Sequence, residues 1–284
     1  MREGRQDFVL DWLGGAAEKR FRRARPEDAA LPWDTFRPGD YSEAVVTEAR
    51  AWWTELAANE LAAVIEFSSV VSALAAAQAP LDLVGMSAGF LSDECAHVEL
   101  GSRAAMALGG AAPRTVDFTR AVHAPSAELT PKQWANERVL RVSCVAEVLA
   151  EAAAARTYVA CPEGLPRALY TNILRDEVYH KQLGALYIEY AYESWTDEER
   201  VRLGRVLASE LFKYRALWDV PVREAVGPTV PEHELGFLRR SELAQVTLDA
   251  ALKDVVAPLA EIGVVLGDDE LARIFGPDVV ARPS

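Results

Sequence analysis

Asp93-Glu94-Cys95-Ala96-His97 and Asp176-Glu177-Val178-Tyr179-His180 share one pattern, Asp-Glu-x-x-His, and lie 83 residues apart. They use two of the chain's 4 histidines. Acidic residues number 43 in 284. By composition, two acids at these offsets before a given histidine have a probability of about 0.02, and two such hits among four histidines about 0.003.

Both copies stand in long helix-like stretches. On a helix, residues i and i+3 lie on neighbouring azimuths one turn apart. Glu94 and His97 therefore aim at one place, as do Glu177 and His180. A carboxylate with an imidazole suits a first-row cation such as iron or manganese. Two such helices face to face supply two carboxylates and two imidazoles. Two more carboxylates, from two further helices, complete a dinuclear site of the kind found in metal-carboxylate bundles. Asp93 and Asp176, one residue before each Glu, are placed to accept the other N–H of the opposite histidine.

The segments around the motifs fit this scheme. Ser42 is an N-cap for a first helix over 41–77, which Gln78-Ala79-Pro80 ends. A second helix runs from Asp82 to Leu108, stopped by Gly109-Gly110. After a loop-rich crossover, Ala111–Thr130, Pro131 opens a third helix that reaches Ala160. Cys161-Pro162-Glu163-Gly164 breaks the chain, and a fourth helix carries Arg167–Tyr192. Each helical hairpin thus bears its motif on its second helix. The expectation is an all-α fold: a four-helix bundle over 41–192, an N-terminal arm over 1–40 and a helical extension over 193–284, all in one domain.

The arm holds a short amphipathic piece, Gln6–Leu13, the basic run Lys19–Arg25 and a Pro-rich loop to Asp40. The basic run reads as a solvated arm lying on an acidic body, with a docking patch for an acidic partner or substrate as the alternative. In the extension, Thr196 caps a fifth helix reaching Trp218. Pro221–Pro231 is a linker, Glu232–Ile262 is helical with Pro258 as a kink or break, and Gly267 caps a last helix, Glu270–Phe275.

Composition narrows the function. A net charge of −13 argues against a nucleic-acid surface and against anionic membranes. Cys95, Cys144 and Cys161 make neither a disulfide framework nor a Cys-x-x-Cys pair. Met1–Gly15 has no secretory apolar region and no 18-residue apolar span is expected, so the cytoplasm is the expected location.

Which carboxylates complete the site? Glu147 lies 16 residues before the turn near 163, level with Glu177 and His180 beyond it, in otherwise apolar or small surroundings. A Glu there needs a partner. Glu151, one turn on, is the fallback or an outer acid. The first helix offers Glu55, Glu60 and Glu66. Measured from the turn near 79, Glu60 and Glu66 fit almost equally well, yet six residues apart they face different ways.

Asn59-Glu60-Leu61-Ala62-Ala63-Val64-Ile65-Glu66-Phe67, Ala79-Pro80-Leu81-Asp82-Leu83 and Asp93-Glu94-Cys95-Ala96-His97 together resemble the first hairpin of the ferritin-like superfamily. Cys144-Val145-Ala146-Glu147 to Asp176-Glu177-Val178-Tyr179-His180 is similar to the second. The likeness covers roughly 45–190. It implies a first-helix ligand somewhat over thirty residues before the motif Glu, which selects Glu60, 34 residues before Glu94, over Glu66, at 28. The implied ligand set is Glu60, Glu94, His97, Glu147, Glu177 and His180, around two iron ions, with Mn/Fe the other pair. The Rubredoxin-like Cys pairs of rubrerythrins are absent, and long extensions set the chain apart from bacterioferritins. The extra histidine of aromatic-amine N-oxygenases is replaced by Ile173.

The resemblance implies an O2-activating di-iron oxygenase or oxidase that hydroxylates, N-oxygenates or desaturates a small organic molecule. A ferroxidase, iron-handling or peroxide-scavenging protein is the alternative. It implies O2, a small-molecule substrate and a reductase or ferredoxin donor as partners, with a homodimer as the candidate assembly. Ala57, Ala63, Cys144 and Ala150, with Phe67 and Phe90, are expected to line the substrate pocket. His123 and His233 read as surface or capping histidines, and Cys95 and Tyr179 should point away from the site.

Overall fold

The Ser42 hydroxyl accepts from the Val45 amide at 3.5 Å and starts a helix 34 residues long. In the computed structural model, which describes residues 4–219 and 230–276, this is the second of a dozen α-helices. Gly15–Arg23 is α1, Glu43–Ala76 α2 and Leu81–Ala107 α3. Pro131–Arg141 (α4) and Glu147–Ala160 (α5) form one rod, interrupted by a π turn over Val142–Ala146. Leu165–Ala191 is α6 and Asp197–Phe212 α7. Arg215–Trp218 (α8), Pro231–Glu234 (α9), Arg240–Ala250 (α10), Ala257–Glu261 (α11) and Asp268–Phe275 (α12) complete the chain. The fold is all-α apart from a two-residue antiparallel pair, β1 (Gln6–Asp7) with β2 (Thr115–Val116).

The caps explain the boundaries. Thr130 accepts from the Gln133 amide while the Gln133 side chain returns to the Thr130 amide. Thr196 accepts from the Glu199 amide at 3.2 Å. Pairing follows the short turns: α2 packs along α3 and α5 along α6, and α3 meets α6 while α2 meets α4. Each of these four rods crosses the same three layers. Trp53, Leu100, Ala154 and Tyr170 belong to one apolar core. Phe67, Phe90, Val145 and Leu183 belong to another. Glu60, Glu94, Glu147 and Glu177 lie between these positions along their own helices.

Two glycines bring the rods close. A Cβ on Gly101 would stand 3.2 Å from the Ala57 amide nitrogen and the Trp53 carbonyl oxygen of α2. A Cβ on Gly184 would stand 2.9 Å from Cys144 Sγ and 3.0 Å from the Ser143 carbonyl. Both glycines follow their motif histidine by four residues and are preceded by leucine, so the repeat extends to Asp-Glu-x-x-His-x-x-Leu-Gly.

Several expectations need correction. Gln6–Leu13 starts as a strand and forms no helix. The basic run lies on α1 and beyond it, and its last residue, Arg25, is largely buried. The fifth helix ends at Phe212, and α8 is separate. Glu232–Ile262 is not one helix: a turn over 235–239 separates α9 from α10. Pro258 ends nothing, because a π turn over Ala251–Val256 precedes it and places it at the start of α11, where its missing N–H costs no bond. Most of the expected linker, 221–229, lies outside the described residues. By length and composition α2 is apolar enough to cross a membrane, against the expectation of no such span, and 33% of its apolar window is buried inside the molecule. The apolar second half of α2 carries both Glu60 and Glu66.

Candidate metal centre

The structure brings together all six expected ligand residues. Donor atoms of Glu60, Glu94, His97 and Glu177 lie within 4.8 Å of one another, and so do those of Glu94, Glu147, Glu177 and His180. Oxygen and nitrogen donors about 2 Å from a common ion stand up to about 4 Å apart, so small side-chain shifts would close each group on one cation. Glu94 and Glu177 belong to both groups, as bridging carboxylates would.

The histidines carry the symmetry. His97 Nδ1 is 3.5 Å from both Glu94 and Glu177. His180 Nδ1 is 3.1 Å from Glu94, 3.4 Å from Glu147 and 3.9 Å from Glu177. The Nε2 atoms face outward, His97 to Asp176 at 3.2 Å and His180 to Asp93 at 3.5 Å. Each aspartate faces the opposite motif's histidine, and the outward N–H leaves Nδ1 as the inward donor. Arg25 joins the two aspartates, with one nitrogen 3.1 Å from Asp93 and another 2.6 Å from Asp176.

Electrostatics show how unusual this interior is. Burial and the neighbouring Glu94 push Glu60 well above the usual carboxyl range, and burial with Glu147 and Glu94 does the same to Glu177. Burial also raises Glu147. Burial opposes the ionised form of Glu94 too, but the facing His180 and His97 rings outweigh it and hold the group at about 2. Burial would lower His97, but Asp176 and Glu94 raise it to about 9. Burial acts against the ionised Asp176, yet His97 and Arg25 hold it below its usual range.

Both Glu94 oxygens, Glu177 Oε2, His97 Nδ1 and His180 Nδ1 are buried without hydrogen-bond partners. Unpartnered buried polar atoms are costly. Here they converge on one space, and a cation there satisfies them together. Four carboxylates balance two divalent ions, and mixed oxygen and imidazole donors suit a first-row metal. These residues therefore fit a metal, and the cluster could hold one.

A cavity of about 590 Å³ reaches the centre through Glu60, Glu147 and Glu177. Ala63 and Ala150 line it as expected. Ala57 instead borders a second cavity, of about 610 Å³, under the N-terminal segment. Cys144 is buried against Gly184, and Phe67 and Phe90 pack on the His180 ring at centroid distances of 5.3 and 4.3 Å. The two phenylalanines wall the centre, and none of the three borders the cavity.

The other residues fall as follows. Glu66 leaves the cluster and pairs with Arg138 and, at 3.2 Å, with His123. Glu151 turns to Lys181 at 3.0 Å and is neither ligand nor outer acceptor. His233 is buried against Glu242 at 3.0 Å, so the surface reading fails there. Tyr179 is exposed and Cys95 faces the second cavity, both away from the centre. Sequence reasoning missed Arg25 as a link between the aspartates, and it missed Lys213, Tyr214, Leu243 and Thr247, which border the cavity from the extension. The basic run was visible, but nothing in its spacing singles out Arg25.

No protein-family model matches the chain, and neither does any curated protein or solved structure.

Proposed function

We propose that this protein is an O2-activating dinuclear non-haem iron oxygenase or oxidase with a ferritin-like four-helix core, acting on a small organic molecule in the cytoplasm. The observation that carries the reading is the opening of a buried, pairwise-symmetric carboxylate and imidazole cluster onto a mainly apolar cavity. An iron-storage site needs an ion path. A cavity of this size beside the ligands suits an organic substrate.

Glu60, Glu94 and His97 with Glu177 would hold one iron, and Glu147 and His180 with the same Glu94 and Glu177 the other; a Mn/Fe pair would use the same donors. When bound, the metal pair supplies O2 binding and reduction beside the cavity. The chain's own part is positional. Asp93 and Asp176 set the histidine rings and keep Nδ1 facing inward. Phe67 and Phe90 keep water from one side of His180. The cavity holds the substrate next to Glu60, Glu147 and Glu177. A reductase or ferredoxin delivers electrons, and the assembly is a homodimer. A net charge of −13 supports neither a nucleic-acid nor an anionic-membrane partner.

The test is O2 uptake by anaerobically iron-loaded protein, followed by optical spectroscopy. Rapid uptake limited by the bound iron, with a transient visible absorption that Glu94→Ala abolishes, is the expected result. Uptake that continues with added iron and ends in mineral would select the iron-handling alternative.

A further inference from the structure

The cavity beside the ligands has a direction. On α2 it runs from Trp52 to Glu66, and on the facing rod from Thr157 back to Arg141. Fourteen residues of helix span about 21 Å, so 590 Å³ makes a slot several times longer than it is wide. The helices leave room for it because their facing side chains are alanines: Ala63 on α2, and Ala146, Ala150 and Ala153 opposite. Glu60, Glu147 and Glu177 reach it part-way along, and Glu177 Oε2 is buried there without a partner.

The two ends differ in chemistry. At the Trp52 end the polar atoms are spent, save those of Asn59, one residue before Glu60, the uncharged polar side chain in that half with no hydrogen bond among the described residues. Trp52 Nε1 donates to the Tyr170 hydroxyl at 3.0 Å, which donates to the Gly236 carbonyl at 3.1 Å. The Thr157 hydroxyl donates to Ala153 at 2.7 Å. Leu56, Ala154 and Ile173 leave the rest of that end apolar. At the Glu66 end the carboxylates are spent and the cations are not. Glu66 is held by Arg138 and His123. Glu210 accepts from Arg141 at 2.8 Å and from Lys213 at 2.6 Å. An ammonium has three N–H donors, and among the described residues Glu210 is the one carboxylate paired with Lys213, whose side chain is 55% exposed. A ligand anion finds free donors there, whereas a ligand cation finds every nearby carboxylate already paired. Glu55, at the slot's flank, is likewise held by Arg114.

We propose that the slot binds a slender apolar carboxylate of the alkanoate class. Its carboxylate sits at Lys213, its chain runs between the alanines past Glu60, Glu147 and Glu177, and its tail lies against Trp52, Leu56 and Ile173. This inference rests on the reading of the cluster as an oxygenase centre for an organic substrate, but it concerns binding alone.

Titrations of the full chain loaded with redox-inert zinc test it, using dodecanoate, dodecylamine and dodecanol as probes of equal length. Dodecanoate should bind about tenfold or more tightly than either, the worth of one charge-assisted hydrogen bond. Lys213→Glu, or Lys213→Met if the first variant does not fold, should abolish that margin. Ala150→Phe, which blocks the slot, should weaken all three. Zinc content measured in the same samples shows that each variant keeps its centre. Equal or tighter binding of dodecylamine, no binding of any probe, or a dodecanoate affinity indifferent to Lys213 overturns the proposal. Failure of the oxygenase reading would look different: dodecanoate binds with the expected preference, yet the iron-loaded protein leaves it unchanged under O2.

Discussion

His97 Nε2 lies 3.2 Å from Asp176 Oδ2, so the histidine of the first motif is oriented by the aspartate of the second. His180 Nε2 faces Asp93 in the same sense at 3.5 Å, a looser contact that makes no hydrogen bond. The two motifs are therefore one interlocked unit, and neither half can be complete without the other. Outer partners of this kind are worth about 10–100-fold in metal affinity. Asp176→Asn should weaken metal binding within that range, read by cobalt titration, while the fold, read by circular dichroism, is kept. An unchanged affinity would show that the aspartate does not support the ligand.

Arg25 bridges both aspartates from the N-terminal arm. Arg25→Ala removes both of these ion pairs, and a third to Asp28, and should lower cobalt affinity about tenfold. Arg25→Lys should recover part of the loss, because a lysine keeps the charge but cannot span two carboxylates with a rigid fork. Equal affinities in all three proteins would contradict this role.

Glu60 and Glu66 separate ligand from structure. Glu60→Ala should lower metal content. Glu66→Ala should keep it but cost about 3 kcal/mol of stability in chemical unfolding, because it strands the buried Arg138. The reverse pattern would exchange their roles.

Gly184 has backbone 3.0 Å from where a Cβ would stand. Gly184→Ala must push α6 away from the π turn, at about 1–3 kcal/mol. Because that turn leads directly into Glu147, metal affinity should fall as well. Full stability and full affinity together would contradict the close packing.

Glu199 links pH to stability away from the centre. Burial works against its charge, but Arg202 and Asn136 outweigh it and hold the carboxyl below its ordinary value of 4.5. A depressed carboxyl contributes stability above its ordinary value, and that contribution is lost as pH falls through its folded value. The melting temperature should drop on acidification from about pH 5 to pH 3, and Glu199→Gln should start lower and drop less.

The carboxylates and histidines that the structure gathers were legible because helical spacing ties a Glu to a His, and the helix starts because Ser42 and Thr196 are capping residues and Pro131 stands at a first helical position. The choice between Glu60 and Glu66 was not legible from turn geometry. It depended on a resemblance, since both sit near the right height on one helix. The π turn before Glu147 left no trace in composition, because it changes the hydrogen-bond ladder and not the apolar pattern. The glycines after each histidine were visible as a repeat. Their meaning appears only where the opposite backbone approaches. Arg25 acts across 68 and 151 residues of sequence, a separation no local rule reaches.

The most direct measurement is metal per chain by elemental analysis after anaerobic iron loading and desalting. The account predicts two irons per chain, each lost with Glu94→Ala or Glu177→Ala because those carboxylates serve both positions. A protein that retains no stoichiometric metal, or whose iron survives both substitutions, would contradict it.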